Sequence, residues 1–201
     1  MTTLGLTGGI GSGKTAAAAR FAHHPGVVVV SADDVAKRLM AEDESVRTAV
    51  RERFGADAYL PDGALNRAAL ASRVFADESE LAALNAIVHP AVGRALRAET
   101  RRAEEAGAAL LVYESALLFE TGADALFDHV AVVYAPVETR VARAMARDGS
   151  TRAEVLRRMA NQMPPRELRD RADTLLDNGG PLAALHEQVD ALYGRLTAAG
   201  A

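Results

Sequence analysis

Five stretches of the chain are apolar without interruption: Leu4–Leu6, Val27–Val30, Ala109–Tyr113, Val130–Tyr134 and Thr174–Leu176. Continuous apolar runs, as opposed to alternating ones, are what strands of a parallel sheet need when both sheet faces are covered. Val27–Val30 is four valines, and β-branched side chains favour strand. Helical stretches separate the runs. The repeated strand–helix order predicts an α/β three-layer fold with a five-stranded parallel sheet.

Two long intervals lack such runs. Residues 34–107 read as helices with loop punctuation. Pro61-Asp62-Gly63 is a turn signal, Asp77-Glu78-Ser79-Glu80 a helix start, and His89-Pro90 another start with proline at the first helical position. Residues 138–171 hold nine arginines against five acids, and Pro164-Pro165 breaks them. With no internal repeat and no low-complexity linker, both intervals read as insertions on one core. The chain is therefore expected to be a single domain, 1–201. Its core is 1–33, 108–137 and 172–201, with a helical insertion at about 34–107 and an arginine-rich lid at about 138–171.

Between the first apolar run and the first helical stretch, predicted over Thr15–Ala22, lies Gly8-Gly9-Ile10-Gly11-Ser12-Gly13-Lys14-Thr15. It matches G-x-x-x-x-G-K-[ST], the phosphate-binding P-loop. The glycines let backbone N–H groups turn inward and cradle phosphates. Lys14 reaches β- and γ-phosphates, and the Thr15 hydroxyl is of the type that ligates Mg²⁺. A helix N-terminus following the loop stabilises the anion. The chain has only two lysines, Lys14 and Lys37, and one occupies the phosphate position.

Bulk composition narrows the picture. At 201 residues and 49% apolar the chain buries a sound core. The absence of cysteine excludes disulfide scaffolds and cysteine-based metal or nucleophile chemistry. The five histidines show no metal-ligand spacing. No basic-then-apolar leader and no apolar run near 18 residues is present, so a cytoplasmic protein with no membrane partner is expected. The net charge of -4 argues against nucleic acid as a partner. A monomer is expected, with self-association left open.

Ligands of open parallel sheets sit beyond the carboxyl ends of the strands. Ser31-Ala32-Asp33-Asp34 follows the second run, on the P-loop's edge. A carboxylate there either accepts a proton from an attacking hydroxyl or caps the next helix. Glu114 ends the third run, where it either helps hold Mg²⁺ or is a strand-end surface acid. Arg140, Arg143 and Arg147 recur at helical spacing, with Arg143 and Arg147 sharing a face. They clamp phosphates or line a solvated face. His89, taken alone, reads as a capping or structural residue. Leu117-Leu118-Phe119 reads as core or pocket wall, and Asn178-Gly179-Gly180 as a turn whose asparagine is placed to bond a base.

Taken together these residues resemble the dephospho-CoA kinases, the family of the last step of coenzyme A synthesis. The resemblance is carried in order by Leu6–Lys14, Ser31-Ala32-Asp33, Asn85–Pro90, Glu114–Glu120, Arg143, Arg147-Asp148-Gly149, Asn161-Gln162, Ala172-Asp173 and Asp177-Asn178-Gly179. It covers nearly the whole chain. Three positions depart from the family pattern: Ser31 and Glu114 each stand for an aspartate, and Ala116 for a proline.

The resemblance implies an ATP-binding core, a CoA-binding helical insertion and a lid. It implies transfer of the γ-phosphoryl of ATP to the ribose 3′-hydroxyl of dephospho-CoA. Asp33 is the implied base, with Lys14 and Arg143 also catalytic. Gly11, Ser12, Gly13, Lys14, Thr15, Ala16, Arg147 and Asn178 are implied to bind ATP. His89, Leu117 and Leu118 are implied to contact dephospho-CoA, and Thr15 and Glu114 to hold Mg²⁺. The main alternative is another small-molecule kinase of this loop type, acting on a nucleoside, nucleotide or shikimate-like acid. A GTPase is disfavoured because neither lysine lies in an Asn-Lys-x-Asp motif. A non-catalytic nucleotide or CoA sensor is disfavoured by Lys14, Thr15 and Asp33 together.

Overall fold

A computed structural model describes residues 1–198, without the side chains of Phe75, Ala76 and Glu78. The last residues of the expected core segment, 199–201, and the Glu78 side chain of the expected helix start lie outside the described residues. The elements are β1 (Thr2–Thr7), α1 (Lys14–Phe21), β2 (Val27–Ser31), α2 (Ala32–Glu42), α3 (Glu44–Phe54), α4 (Arg67–Ala76) and α5 (Glu78–Glu105). They continue with β3 (Leu110–Glu114), β4 (His129–Tyr134), α6 (Val137–Asp148), α7 (Arg152–Ala160), α8 (Pro165–Asp170), β5 (Thr174–Asp177) and α9 (Leu182–Ala198). The chain divides into two compact units, one of residues 1–30 and 102–201, the other Ser31–Arg101.

The first unit is built on a five-stranded parallel sheet of order β2-β3-β1-β4-β5. Each apolar run became a strand, extended by one to three polar residues, and β3 begins one residue into its run, at Leu110. Leu4, Leu6, Leu110, Val112, Ala131, Val133 and Leu176 are buried, and Ala17, Phe21, Leu185, Val189 and Leu192 cover them. Register aligns Leu6 with Glu114 and Tyr134 with Asp177, which brings Thr7, Glu114, Tyr134 and Asp177 to one edge. Gly5 is where side chains from below approach the central strand. A Cβ there would lie 2.7 Å from Leu118 and 3.1 Å from Phe127.

α1 is held at its far end by α9. Arg20 donates two hydrogen bonds to Asp190, at 2.7 and 2.6 Å, and His24 bonds the same carboxylate at 2.9 Å. The His24 ring stacks on Tyr193, centroids 4.1 Å apart.

In the second unit, Val46, Val50, Phe54, Ala58, Tyr59, Leu70, Val74 and Ala91 form a separate core. The Pro61-Asp62-Gly63 turn is closed by a bridge between Tyr59 and Leu65. Two expectations are corrected here. His89-Pro90 does not begin a helix; α5 runs through it with Pro90 inside. The ring leaves a carbonyl one turn back without its helical donor, but Val88, Ala91, Val92 and Leu96, all buried, hold the helix on both sides of it. Nor does Asp33 or Asp34 cap α2. Ser31 does, accepting the Asp34 N–H at 3.3 Å.

Candidate active site

The P-loop conformation follows from its glycines. Gly8, Gly11 and Gly13 have φ of 148°, 74° and 100°, values that L side chains rarely adopt. The Ser12 N–H closes the turn on the Gly9 carbonyl at 3.1 Å. Gly13 then leads into α1, whose first residue is Lys14 rather than the expected Thr15.

Lys14 Nζ donates to the Gly8 carbonyl at 2.8 Å, folding the side chain back along the loop. The exposed Thr15 hydroxyl donates to Glu114 Oε1 at 3.2 Å. Glu114 is the last residue of β3, not a residue beyond it. A hydroxyl and a carboxylate oxygen so placed beside a phosphate cradle are hard oxygen donors of the type Mg²⁺ takes. Ala16 sits in the first turn of α1, packed against the sheet core.

The loop is braced from outside by three residues. Arg140 is 5% exposed, and its Nε donates to the Ile10 carbonyl at 2.9 Å. A Cβ at Gly9 would collide with its guanidinium, and one at Gly11 with its carbonyl. Gln162 Oε1 accepts the Ile10 N–H at 2.8 Å. Asn178, 4% exposed, donates from Nδ2 to the Ser12 carbonyl at 2.7 Å. Burial pushes the Arg140 pKa down from its ordinary value, because desolvation opposes its charge.

Sequence reasoning grouped Arg140 with the surface-spaced arginines and missed this buried role. A signal was present. Positions 9 and 11 accept any residue in the motif, yet both are glycine, the mark of a close neighbour.

Arg143 donates to the Asn178 carbonyl at 3.0 Å, which places it at the loop after β5. Arg147 instead forks onto Asp148, at 2.6 and 3.1 Å. Arg158 joins that carboxylate from α7 at 3.0 Å, and the two arginines hold the Asp148 pKa down at about 2. The structure therefore brings Gly11, Ser12, Gly13, Lys14, Thr15, Glu114, Arg143 and Asn178 together at the sheet edge.

Leu118 is fully buried against Gly5, so it is core in this structure, while Leu117 is half-buried. Asp33 and His89 lie in the second unit, both exposed. Asp34 is paired with Lys37 at 3.1 Å. The Asp33 carboxylate makes no hydrogen bond or ion pair among the described residues.

No helix among the described residues is long and apolar enough to cross a membrane. Comparison with known proteins accounts for this arrangement. The family model for dephospho-CoA kinase matches residues 2–184. A dephospho-CoA kinase of Salinibacter ruber is 47% identical over 98% of both chains. One of Syntrophotalea carbinolica is 42% identical over 98% of this chain and 92% of its own. A crystal structure from Thermus thermophilus superposes with a TM-score of 0.82 at 40% identity, covering 98% of both chains. A dephospho-CoA kinase from Campylobacter jejuni, 21% identical, shares the fold with a TM-score of 0.72 over 99% of this chain and 98% of its own. With a P-loop of this geometry and relatives matched along almost their full lengths, the chain belongs to the dephospho-CoA kinase family and is an ATP-using phosphotransferase with an alcohol acceptor.

Proposed function

We propose that this enzyme transfers the γ-phosphoryl group of ATP to the ribose 3′-hydroxyl of dephospho-CoA, yielding coenzyme A and ADP. The observation that carries the reading is the Lys14–Gly8 and Thr15–Glu114 geometry at the sheet edge, within a family match over residues 2–184.

Asp33 accepts the proton of the 3′-hydroxyl as its oxygen attacks the γ-phosphorus and the bond to the β-phosphate oxygen breaks. Lys14 exchanges the Gly8 carbonyl for the β- and γ-oxygens. Thr15 and Glu114 would hold Mg²⁺, which supplies neutralisation of the phosphate charge. Arg143 and Arg147 complete the clamp, and residues 138–171 act as the lid that excludes water. The helical segment of about 34–107 receives the acceptor, with His89 and Leu117 as its contacts. The enzyme works in the cytoplasm as a monomer.

The test is an ADP-release assay with MgATP, with and without dephospho-CoA, followed by mass analysis. Release that depends on dephospho-CoA, with a product one phosphate heavier, is expected. A folded, ATP-binding protein that dephospho-CoA does not stimulate would overturn the assignment in favour of another small-molecule acceptor. Asp33→Asn is expected to lower kcat roughly a hundredfold or more while ATP still binds. Weak ATP binding with normal saturated turnover would instead make Asp33 a structural or metal group.

A further inference from the structure

The asparagine after β5 is placed to read a nucleotide base when judged by sequence position alone. Its geometry gives it other work. Asn178 is 4% exposed, and each of its backbone polar groups is committed. Its N–H donates to the Tyr134 carbonyl at 2.7 Å, which ties it to the end of β4. Its own carbonyl accepts from Arg143 at 3.0 Å, which ties it to α6. Its side-chain Nδ2 donates to the Ser12 carbonyl at 2.7 Å. That nitrogen lies so close over Gly13 that a Cβ there would overlap it.

Asn178 thus touches the P-loop at the two residues before Lys14, where the left-handed turn at Gly13 decides which way the loop N–H groups face. Its Oδ1 is buried without a protein partner, so the amide is oriented by its single strong donation and by packing. A buried acceptor left this way costs stability.

We propose that Asn178 is a positioning residue for the phosphates, not a base-contacting one. It holds the Ser12 carbonyl outward, keeps the Ser12–Gly13 segment curved with its N–H groups inward, and links that curvature to Arg143. This rests on the kinase reading above, and the experiment separates the two. The phosphate cradle of the loop is then set partly by a side chain well over a hundred positions away in sequence.

The probe is inorganic tripolyphosphate, which carries the phosphate chain of ATP without base or sugar. Its competition against a fluorescent ATP analogue is measured on wild type and Asn178→Asp, with KM and kcat for ATP and for GTP alongside. The substitution keeps shape but replaces the donor by an acceptor facing a carbonyl. Tripolyphosphate and ATP affinity are expected to fall in parallel by about tenfold or more. The ratio of ATP to GTP use is expected to hold, and KM for ATP to rise more than kcat falls.

Loss of ATP affinity with tripolyphosphate binding intact, or a collapse of the ATP-to-GTP ratio, would overturn the proposal and restore the base contact. Unchanged binding of both would overturn it as well. If Asn178→Asp does not fold, as judged by its melting transition, Asn178→Ser decides by the same comparison. Its hydroxyl keeps a donor that stops short of Ser12, and the same parallel loss is expected. Wild-type turnover of dephospho-CoA, measured in the same series, tests the kinase reading independently.

Discussion

Arg140 and Arg147 stand on the same helix two turns apart and live in different environments. Arg140 is 5% exposed, passes beneath the phosphate loop and donates to the Ile10 carbonyl. No carboxylate pairs with it among the described residues. The Arg147 side chain is 64% exposed and forks onto its neighbour Asp148. Identical side chains thus face two different balances. For Arg140 the loss of hydration is large and is met by one backbone carbonyl and close packing on glycine. For Arg147 hydration is mostly kept, and the ion pair adds little because solvent screens it. The buried arginine shapes a loop; the exposed one is held at the end of its own helix by Asp148.

The largest effect expected concerns the loop that Arg140 braces. Lys14→Ala is expected to lower kcat about a thousandfold or more, because charge develops on the phosphate oxygens in the transition state. Near-normal turnover would mean that the loop is not the seat of the chemistry, and the brace that Arg140 gives it would lose its functional point.

Arg140→Met comes next and addresses the buried member directly. Methionine keeps much of the apolar bulk, discards the charge and removes the donor to Ile10. Relief of desolvation offsets the lost bond, so stability is expected to stay within about 1 kcal/mol. KM for ATP is expected to rise about tenfold as the loop loses its brace and a nearby positive charge. A strongly lowered Tm with unchanged KM would recast Arg140 as packing alone.

The sequence made the scaffold legible because buried parallel strands leave an unmistakable trace. Leu4–Leu6 and Val130–Tyr134 are apolar at every position, and only their polar ends were underestimated. The P-loop was legible because its glycines, lysine and threonine each answer a separate physical need. The helix caps were harder. Ser31, Asp33 and Asp34 are all good caps, and only backbone geometry shows that Ser31 takes the duty.

Pro90 misled because proline is at home at a helix start. Burial of Val88, Ala91 and Val92 outweighed its missing N–H. The braces Arg140, Gln162 and Asn178 were least legible. Each acts on a loop more than a hundred residues away, and helical spacing carries no information about which arginine turns inward. Only the extra glycines at 9 and 11 hinted at it.

Asp148 tests the exposed side of the comparison through pH. It is the last residue of α6, where the helix dipole disfavours an anion. Arg147 and Arg158 reverse that and lower its pKa from 3.8 to about 2. A depressed folded-state pKa gives stability that is fully present above the unfolded value and lost as pH falls through the folded one. The gap in urea midpoint between wild type and Asp148→Asn is therefore expected to be widest above pH 3.8 and to close toward about pH 2. Its size is under about 1 kcal/mol because the pair meets solvent. A gap that grows on acidification would contradict the pairing.

The smallest structural effect and the sharpest functional contrast belong to Arg147→Ala. Removing an exposed arginine is expected to change stability by no more than about 0.5 kcal/mol, because its ion pair with Asp148 is screened by solvent and Arg158 still neutralises Asp148. If Arg147 leaves Asp148 to meet phosphates when the lid closes, the same variant should weaken ATP binding or raise ATP hydrolysis in the absence of acceptor. The two measurements go together: a thermal melt reads the first, and ADP release without dephospho-CoA reads the second. A clear loss of Tm would show that Arg147 does the structural work assigned here to Arg140. Unchanged melting, ATP affinity and hydrolysis would leave it a solvated surface residue, and the catalytic share of the lid would pass to Arg143, whose hold on the Asn178 carbonyl already places it beside the loop.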